Sequence, residues 1–138
     1  MIGLVIVTHS HLGEALIEAA EFILGSKPEA TVAVSIDLKI NAEILRKKIT
    51  DGIKSVNHQK GIIIMTDMFG GTPSNLGYSF LEEGRVEVIS GVNLPILIKA
   101  ANAREKMGLI ELAKCLETYG KCSISLGSAI LKGNKRSE

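Results

Sequence analysis

The tightest constraint in this sequence is its opening run, Ile2-Gly3-Leu4-Val5-Ile6-Val7, which is apolar almost without interruption and stops at Thr8-His9-Ser10-His11. A strand with one wet face alternates apolar and polar residues. A continuous apolar run rich in Val and Ile fits a strand covered on both faces, as strands of a parallel sheet are. Helical spacing begins directly afterwards, so His9 stands at the mouth of a strand-to-helix loop. Open α/β sheets bind their ligands beyond the carboxyl ends of their strands. His9 is therefore the leading candidate for a working residue.

The rest of the chain repeats that pattern. Leu12, Ala15, Leu16, Ala19 and Ile23 fall at helical spacing, with Gly25 where a C-terminal cap belongs. Residues 31–36 form a β-branched run ending before Asp37. Asn41 is placed to cap a helix whose buried stripe is Leu45, Ile49, Ile53 and Val56. Lys39, Arg46, Lys47, Lys48 and Lys54 read as its solvated decoration, and His58 as an exposed loop residue. Residues 61–66 make a third buried strand, which ends in Asp67-Met68-Phe69-Gly70-Gly71-Thr72-Pro73. Thr72 followed by Pro73 reads as a helix N-cap with proline at the first helical position. That helix is expected to run through Leu76, Phe80 and Leu81 and to stop at Gly84. Residues 86–89 are a fourth strand, followed by Ser90-Gly91-Val92-Asn93. Pro95 opens a helix through Ala101, residues 109–119 form another, and 121–131 are read as a final strand. Residues 132–138 are read as a polar tail.

Strand and helix alternate throughout, which predicts one doubly wound, mainly parallel α/β sheet with right-handed crossovers and helices on both faces. With strand order 2-1-3-4 the first and third strands are neighbours, and His9 faces Asp67 at the point where the sheet reverses its winding. At 138 residues the chain suits a single domain. A net charge of +1, with no basic stripe carrying interleaved aromatics, argues against nucleic acid or a membrane surface as partner. No apolar run approaches the roughly 20 residues that span a bilayer, and none resembles a signal peptide. Cys115 and Cys122 make neither a disulfide framework nor a zinc pattern. A cytoplasmic protein with reduced thiols is expected.

The chemistry follows from the pair. A carboxylate beside an imidazole accepts the N–H of one ring nitrogen and leaves the other with a free lone pair. Histidine so oriented can form a covalent intermediate. Gly70, Gly71 and Thr72 offer backbone N–H groups at a helix start, and Ser10 stands at a second one after the first strand. Both suit a phosphoryl group. Each signal has an ordinary alternative: His9 as a surface or capping residue, Gly70-Gly71 as turn chemistry, Asp67 as a loop cap. On the residues alone the joint reading, phosphoryl capture on His9, stands level with those alternatives.

Three segments carry a resemblance. Residues 6–9, the loop Thr66-Asp67-Met68-Phe69-Gly70-Gly71-Thr72-Pro73-Ser74-Asn75, and Ser90-Gly91-Val92-Asn93-Leu94-Pro95 are similar, in order and spacing, to the enzyme IIA domain of the mannose-type bacterial phosphotransferase system. The resemblance spans about the first hundred residues. It implies that His9 is the phosphorylated histidine, with Asp67 as its hydrogen-bonded partner and Thr72 near the phosphoryl group. It implies a histidine-containing phosphocarrier protein as donor and an enzyme IIB as acceptor, the latter on another polypeptide. It further implies a homodimer in which the last strand, taken as antiparallel and assigned to residues 121–131, is exchanged between subunits. No cofactor and no metal are expected. His11 reads as a solvent-exposed or helix-capping imidazole, because His9 directly follows the strand. Other functions carry the same chemistry: the phosphotransfer subunit of a dihydroxyacetone kinase, or a stand-alone regulatory phosphoprotein. From other classes come an aspartyl-phosphate switch, which would need an acidic cluster for magnesium, and a nucleotide-binding module. The loop after the first strand lacks the glycine and lysine patterns of the latter.

Overall fold

The opening apolar run forms strand β1 (Gly3–His9), which pairs in parallel with β2 (Thr31–Ile36) on one side and β3 (Ile62–Thr66) on the other. A fourth strand, β4 (Val86–Ser90), pairs in parallel with β3, giving the expected order β2-β1-β3-β4. The computed structural model describes residues 1–37, 39–56, 59–68 and 70–133. His58, Phe69 and the tail from 134 onward lie outside the described residues.

Period-two geometry explains why β1 can be apolar at every position, since successive side chains enter opposite layers. Leu4 and Ile6 of β1, with Ile63 and Met65 of β3, pack on one face with Ile17, Ile96, Leu97, Leu112 and Leu116. These come from α1 (Leu12–Leu24), α4 (Leu94–Ala103) and α5 (Leu109–Cys122). Val5, Val7, Ile62 and Ile64 pack on the other face with Leu45, Ile49 and Val56 of α2 (Ala42–Val56). Leu76 of α3 (Thr72–Tyr78) joins the same layer. The doubly wound architecture with helices on both faces is therefore as the alternation predicts. Two caps also match: Gly25 closes α1 in the left-handed region at φ 86°, and the Ile44 N–H donates to Asn41 Oδ1 at 2.9 Å.

Two local expectations are corrected. Thr72 is not the N-cap of α3; Gly71 takes the extended cap conformation (φ −86°, ψ 170°) and Thr72 is already helical. The helix also ends earlier, at Tyr78, with turns through Phe80. The larger correction concerns residues 121–131, which form no strand. α5 continues through Lys121 and Cys122, and Gly127–Leu131 forms a short helix, α6. A strand must bond a neighbouring strand, whereas a helical turn satisfies its own backbone; within one chain this segment takes the second course. Its apolar side chains stay in water: Ile124 is 85% exposed, Leu126 71% and Leu131 89%.

The pole of the sheet opposite the strand tips is fastened by one cation. Arg104, just past α4, is 5% exposed. Its guanidinium donates to Ile2 O at 3.1 Å, to Thr31 Oγ1 at 3.4 Å, to Ala30 O at 3.5 Å and to Glu29 O. It thereby joins the starts of β1 and β2 to the end of α4. Burial lowers its pKa, and the nearby charges of Glu105 and Glu29 oppose that shift. Hydrogen bonds to a charged donor contribute about 1.5–3 kcal/mol each, against a desolvation cost of several kcal/mol for the ion. Methionine matches the stem but strands the carbonyls. Arg104→Met is expected to lower stability by about 2–4 kcal/mol, read from urea denaturation, with the site at the other pole unaffected.

Candidate active site

Parallel pairing brings the strand tips to one level. Thr66 lies opposite both Val7 and Ser90, and His9 opposite Ile36. The residue after each tip then enters the same crevice. Asp67, directly after β3, meets His9 at the end of β1. A single carboxylate oxygen, Asp67 Oδ2, accepts two hydrogen bonds from that residue: one from its backbone N–H at 2.9 Å and one from ring Nδ1 at 2.8 Å. The backbone bond fixes the chain and the ring bond fixes the imidazole. His9 remains 46% exposed at its side chain, Asp67 only 11%.

The carboxylate's protonation follows from its surroundings. Burial pushes the Asp67 pKa up, but the His9 amide, the ring hydrogen bond and the Coulombic attraction of the ring outweigh it, and the net shift is downward. An ionised carboxylate only accepts hydrogen bonds, so Nδ1 carries the proton and Nε2 is left as the lone-pair nitrogen. The other carboxylate oxygen, Oδ1, is buried and has no hydrogen-bond partner among the described residues. The hydrogen-bonding capacity of this group is thus directed at His9.

The remaining sequence candidates sit around this pair. Ser10 holds φ 51°, a conformation costing a non-glycine residue about 1–2 kcal/mol. Its amide is engaged with Ile36 O at 2.9 Å, which leaves only its exposed side chain to face a ligand. Gly70 requires glycine, having φ +87° with open space where a Cβ would be. Gly71 and Thr72 follow at the start of α3, where the first N–H groups have no intrahelical acceptor. His11 is 81% exposed at its side chain, faces Glu14 at 3.3 Å and caps nothing with its ring.

Several positioning groups were not assigned a role on sequence grounds. Thr8 is fully buried, and its Oγ1 accepts from the Gly13 N–H at 2.7 Å, which satisfies the first turn of α1 from inside the sheet. Gly13 permits that approach; a Cβ there would meet Ile6 O at 3.2 Å and Ile6 Cγ2 at 3.1 Å. At the next tip, Thr66 O accepts the amides of both Gly91 and Val92 at 2.9 Å. Asn93 caps α4 through the Ile96 N–H and donates from Nδ2 to Ser123 Oγ at 3.1 Å. The only available signal was a hydroxyl or amide residue recurring at each strand end.

Comparison with known proteins identifies the family and fold of the chain. A family model described as the PTS system fructose IIA component, EIIA-man, matches residues 3–117. The PTS system fructose-specific EIIA component of Bacillus subtilis is 30% identical over 133 residues, 96% of this chain and 90% of that protein. The PTS system mannose-specific EIIAB component of Escherichia coli K12 is 32% identical over 105 residues. That match takes in 75% of this chain and only 32% of the relative, so the chain spans about a third of that protein. Among solved structures, a phosphotransferase system component EIIA from Streptococcus agalactiae has a TM-score of 0.84 at 24% identity, covering 94% of this chain and 99% of that one. A mannose/sorbose specific IIA subunit from Enterococcus faecalis has a TM-score of 0.80 at 20% identity, covering 91% and 93%. At these identities the structural likeness is one of fold.

The depressed Asp67 pKa has a consequence for stability. Its folded value lies below the ordinary 3.8, so its contribution is complete above that pH and is lost as pH falls through the folded value. Asp67→Asn removes the titration. The stability difference between wild type and Asp67→Asn, followed by thermal unfolding from about pH 6 to pH 2, is expected to be largest at the upper end and to shrink on acidification.

Proposed function

This chain belongs to the mannose-type enzyme IIA family, components of the sugar phosphotransferase system, and from that membership we propose that it is a phosphoryl carrier working through His9. The observation that carries the proposal is the double acceptance by Asp67 Oδ2, which points Nδ1 inward and leaves Nε2 outward on a half-exposed ring. In the forward step Nε2 attacks the phosphorus of a phosphohistidine on the donor, the histidine-containing phosphocarrier protein. The N–P bond on the donor breaks as a new N–P bond forms on Nε2. The proton stays on Nδ1, and the Asp67 carboxylate balances the positive charge that develops on the ring. The second step passes the group to a histidine or other nucleophile of an enzyme IIB in the same in-line manner.

Gly70, Gly71 and Thr72 supply amide N–H groups for the phosphoryl oxygens, with the Thr72 and Ser10 hydroxyls as further donors. Little reorganisation is needed, because the ring is already held and the partner only has to be aligned. The same reading places the protein in the cytoplasm, where a phosphoenolpyruvate-driven relay supplies its donor. Among the described residues no helix is long and apolar enough to cross a membrane.

The reading includes a homodimer in which the segment after α5 crosses to a second copy. Two features support it: among the described residues the outer edge of β4 pairs with no named strand, its one bridge being Glu82 to Val86, and a groove of about 610 Å³ runs beside it, lined in part by Tyr78, Ser90, Lys114, Glu117 and Ile124. The exposed Ile124 and Leu126 follow directly. Truncation after Cys122 is expected to convert a dimer to a monomer in analytical ultracentrifugation; an unchanged sedimentation coefficient would remove the segment from the interface.

The central test is intact mass after incubation with phosphoenolpyruvate, enzyme I and the phosphocarrier protein. Wild type is expected to gain one acid-labile, alkali-stable phosphoryl group, and His9→Ala none. Gain lost in His11→Ala instead would move the site to the second imidazole. Asp67→Ala is expected to slow uptake by about a hundredfold while retaining the fold.

A further inference from the structure

We propose that Ser90 is a positioning residue for phosphoryl transfer, fastening the Asp67 loop and helix α3 into one unit through a cluster of four hydroxyls. The proposal rests on the carrier reading above and names the device that holds its geometry. Ser90 ends β4 directly opposite Thr66. The Thr66 hydroxyl donates to Ser90 Oγ at 3.1 Å, Tyr78 OH lies 2.9 Å from it, and Ser74 Oγ lies at 3.4 Å. Thr66 and Ser74 are wholly buried.

Donors and acceptors can be balanced at this oxygen. A serine hydroxyl donates one hydrogen bond and accepts two. Thr66 fills one acceptor position, so Tyr78 and Ser74 divide the remaining acceptor position and the single proton between them. Ser90 thus has three hydroxyl neighbours for its three hydrogen-bonding positions, the one to Ser74 being the longest at 3.4 Å.

What the cluster joins gives it a role. Thr66 directly precedes Asp67, and its carbonyl is already held by the Gly91 and Val92 amides. Ser74 lies in the first turn of α3, next to the Gly70–Thr72 cradle, and Tyr78 is the last residue of that helix. α3 has only seven residues, too short to be stable without tertiary support. It packs tightly on the sheet at Gly77, where a Cβ would lie 3.3 Å from Thr66 Cγ2. Ser90 is thus the shared partner of the residue that sets the carboxylate and of the helix that presents the amides. Its removal leaves Thr66 and Ser74 with unsatisfied buried hydroxyls and lets the two parts shift independently.

The test compares wild type, Ser90→Ala, Ser90→Thr and Tyr78→Phe by two readouts. One is the rate of phosphoryl uptake from the phosphocarrier protein. The other is the nuclear magnetic resonance signature of the His9 ring, the Nδ1 proton and both ring ¹⁵N shifts, with no donor present. Ser90→Ala is expected to slow uptake by about ten- to a hundredfold and to shift or broaden the Nδ1 proton, with an unchanged circular dichroism spectrum. Ser90→Thr, which restores the hydroxyl, is expected to recover most of the rate. Wild-type uptake and unchanged ring resonances in Ser90→Ala would overturn the proposal. Should Ser90→Ala not fold, Tyr78→Phe decides by the same two readouts. If wild type itself takes up no phosphoryl group, the carrier reading fails, whereas the ring resonances still report whether Ser90 positions the His9–Asp67 pair.

Discussion

Everything in this molecule depends on β1 being paired in parallel on both sides. That pairing requires a strand apolar at every position, since both faces are covered, and it makes β1 the point where the chain reverses its winding direction. Helices α1 and α4 stand on one face and α2 and α3 on the other, and none of them closes over the tip of β1. The only part of the strand that water reaches is therefore its last residue, His9. The imidazole is exposed here because the architecture leaves that position, and no other on the strand, uncovered.

The two poles of the sheet solve opposite problems. At the entry pole the carbonyls preceding β1 and β2 are gathered by the buried cation of Arg104. At the exit pole a partly buried carboxylate accepts two hydrogen bonds from one residue on a single oxygen, and the other oxygen has no side-chain or backbone partner among the described residues. The first arrangement draws four acceptors onto one guanidinium. The second holds one exposed imidazole by two bonds to a single carboxylate oxygen.

Much of this was legible from residue types. The unbroken apolar runs at 2–7 and 61–65 marked strands buried on both faces, alternation with helical segments marked a doubly wound parallel sheet, and 2-1-3-4 is a common order for such sheets. From that order came the meeting of His9 and Asp67, 58 residues apart in the chain. Less was legible where two local solutions compete. Residues 121–131 alternate weakly, but Gly127-Ser128-Ala129 can equally begin a helical turn, and only an available strand edge decides between them. Thr72 was read as a cap because threonine followed by proline often is one, but Gly71 adopts the extended conformation and displaces the cap by one position. The hydroxyl cluster at Ser90 was hidden for another reason. Serine and threonine are common at strand ends, and their convergence depends on register, which single-sequence patterns specify only after the fold is known.

The strand order also has a consequence for how the protein comes into being. During synthesis β1 leaves the ribosome well before β3, its partner on one side, which is made about sixty residues later. A nascent chain of that length can assemble β2, β1, α1 and α2, with one edge of β1 and half of each face still bare. Through that interval His9 has no carboxylate to orient it and Thr66 does not yet exist to be held. The His9 ring is thus oriented late, by the closing of a long loop, and a chain not yet made as far as Asp67 presents the imidazole without the carboxylate that holds it.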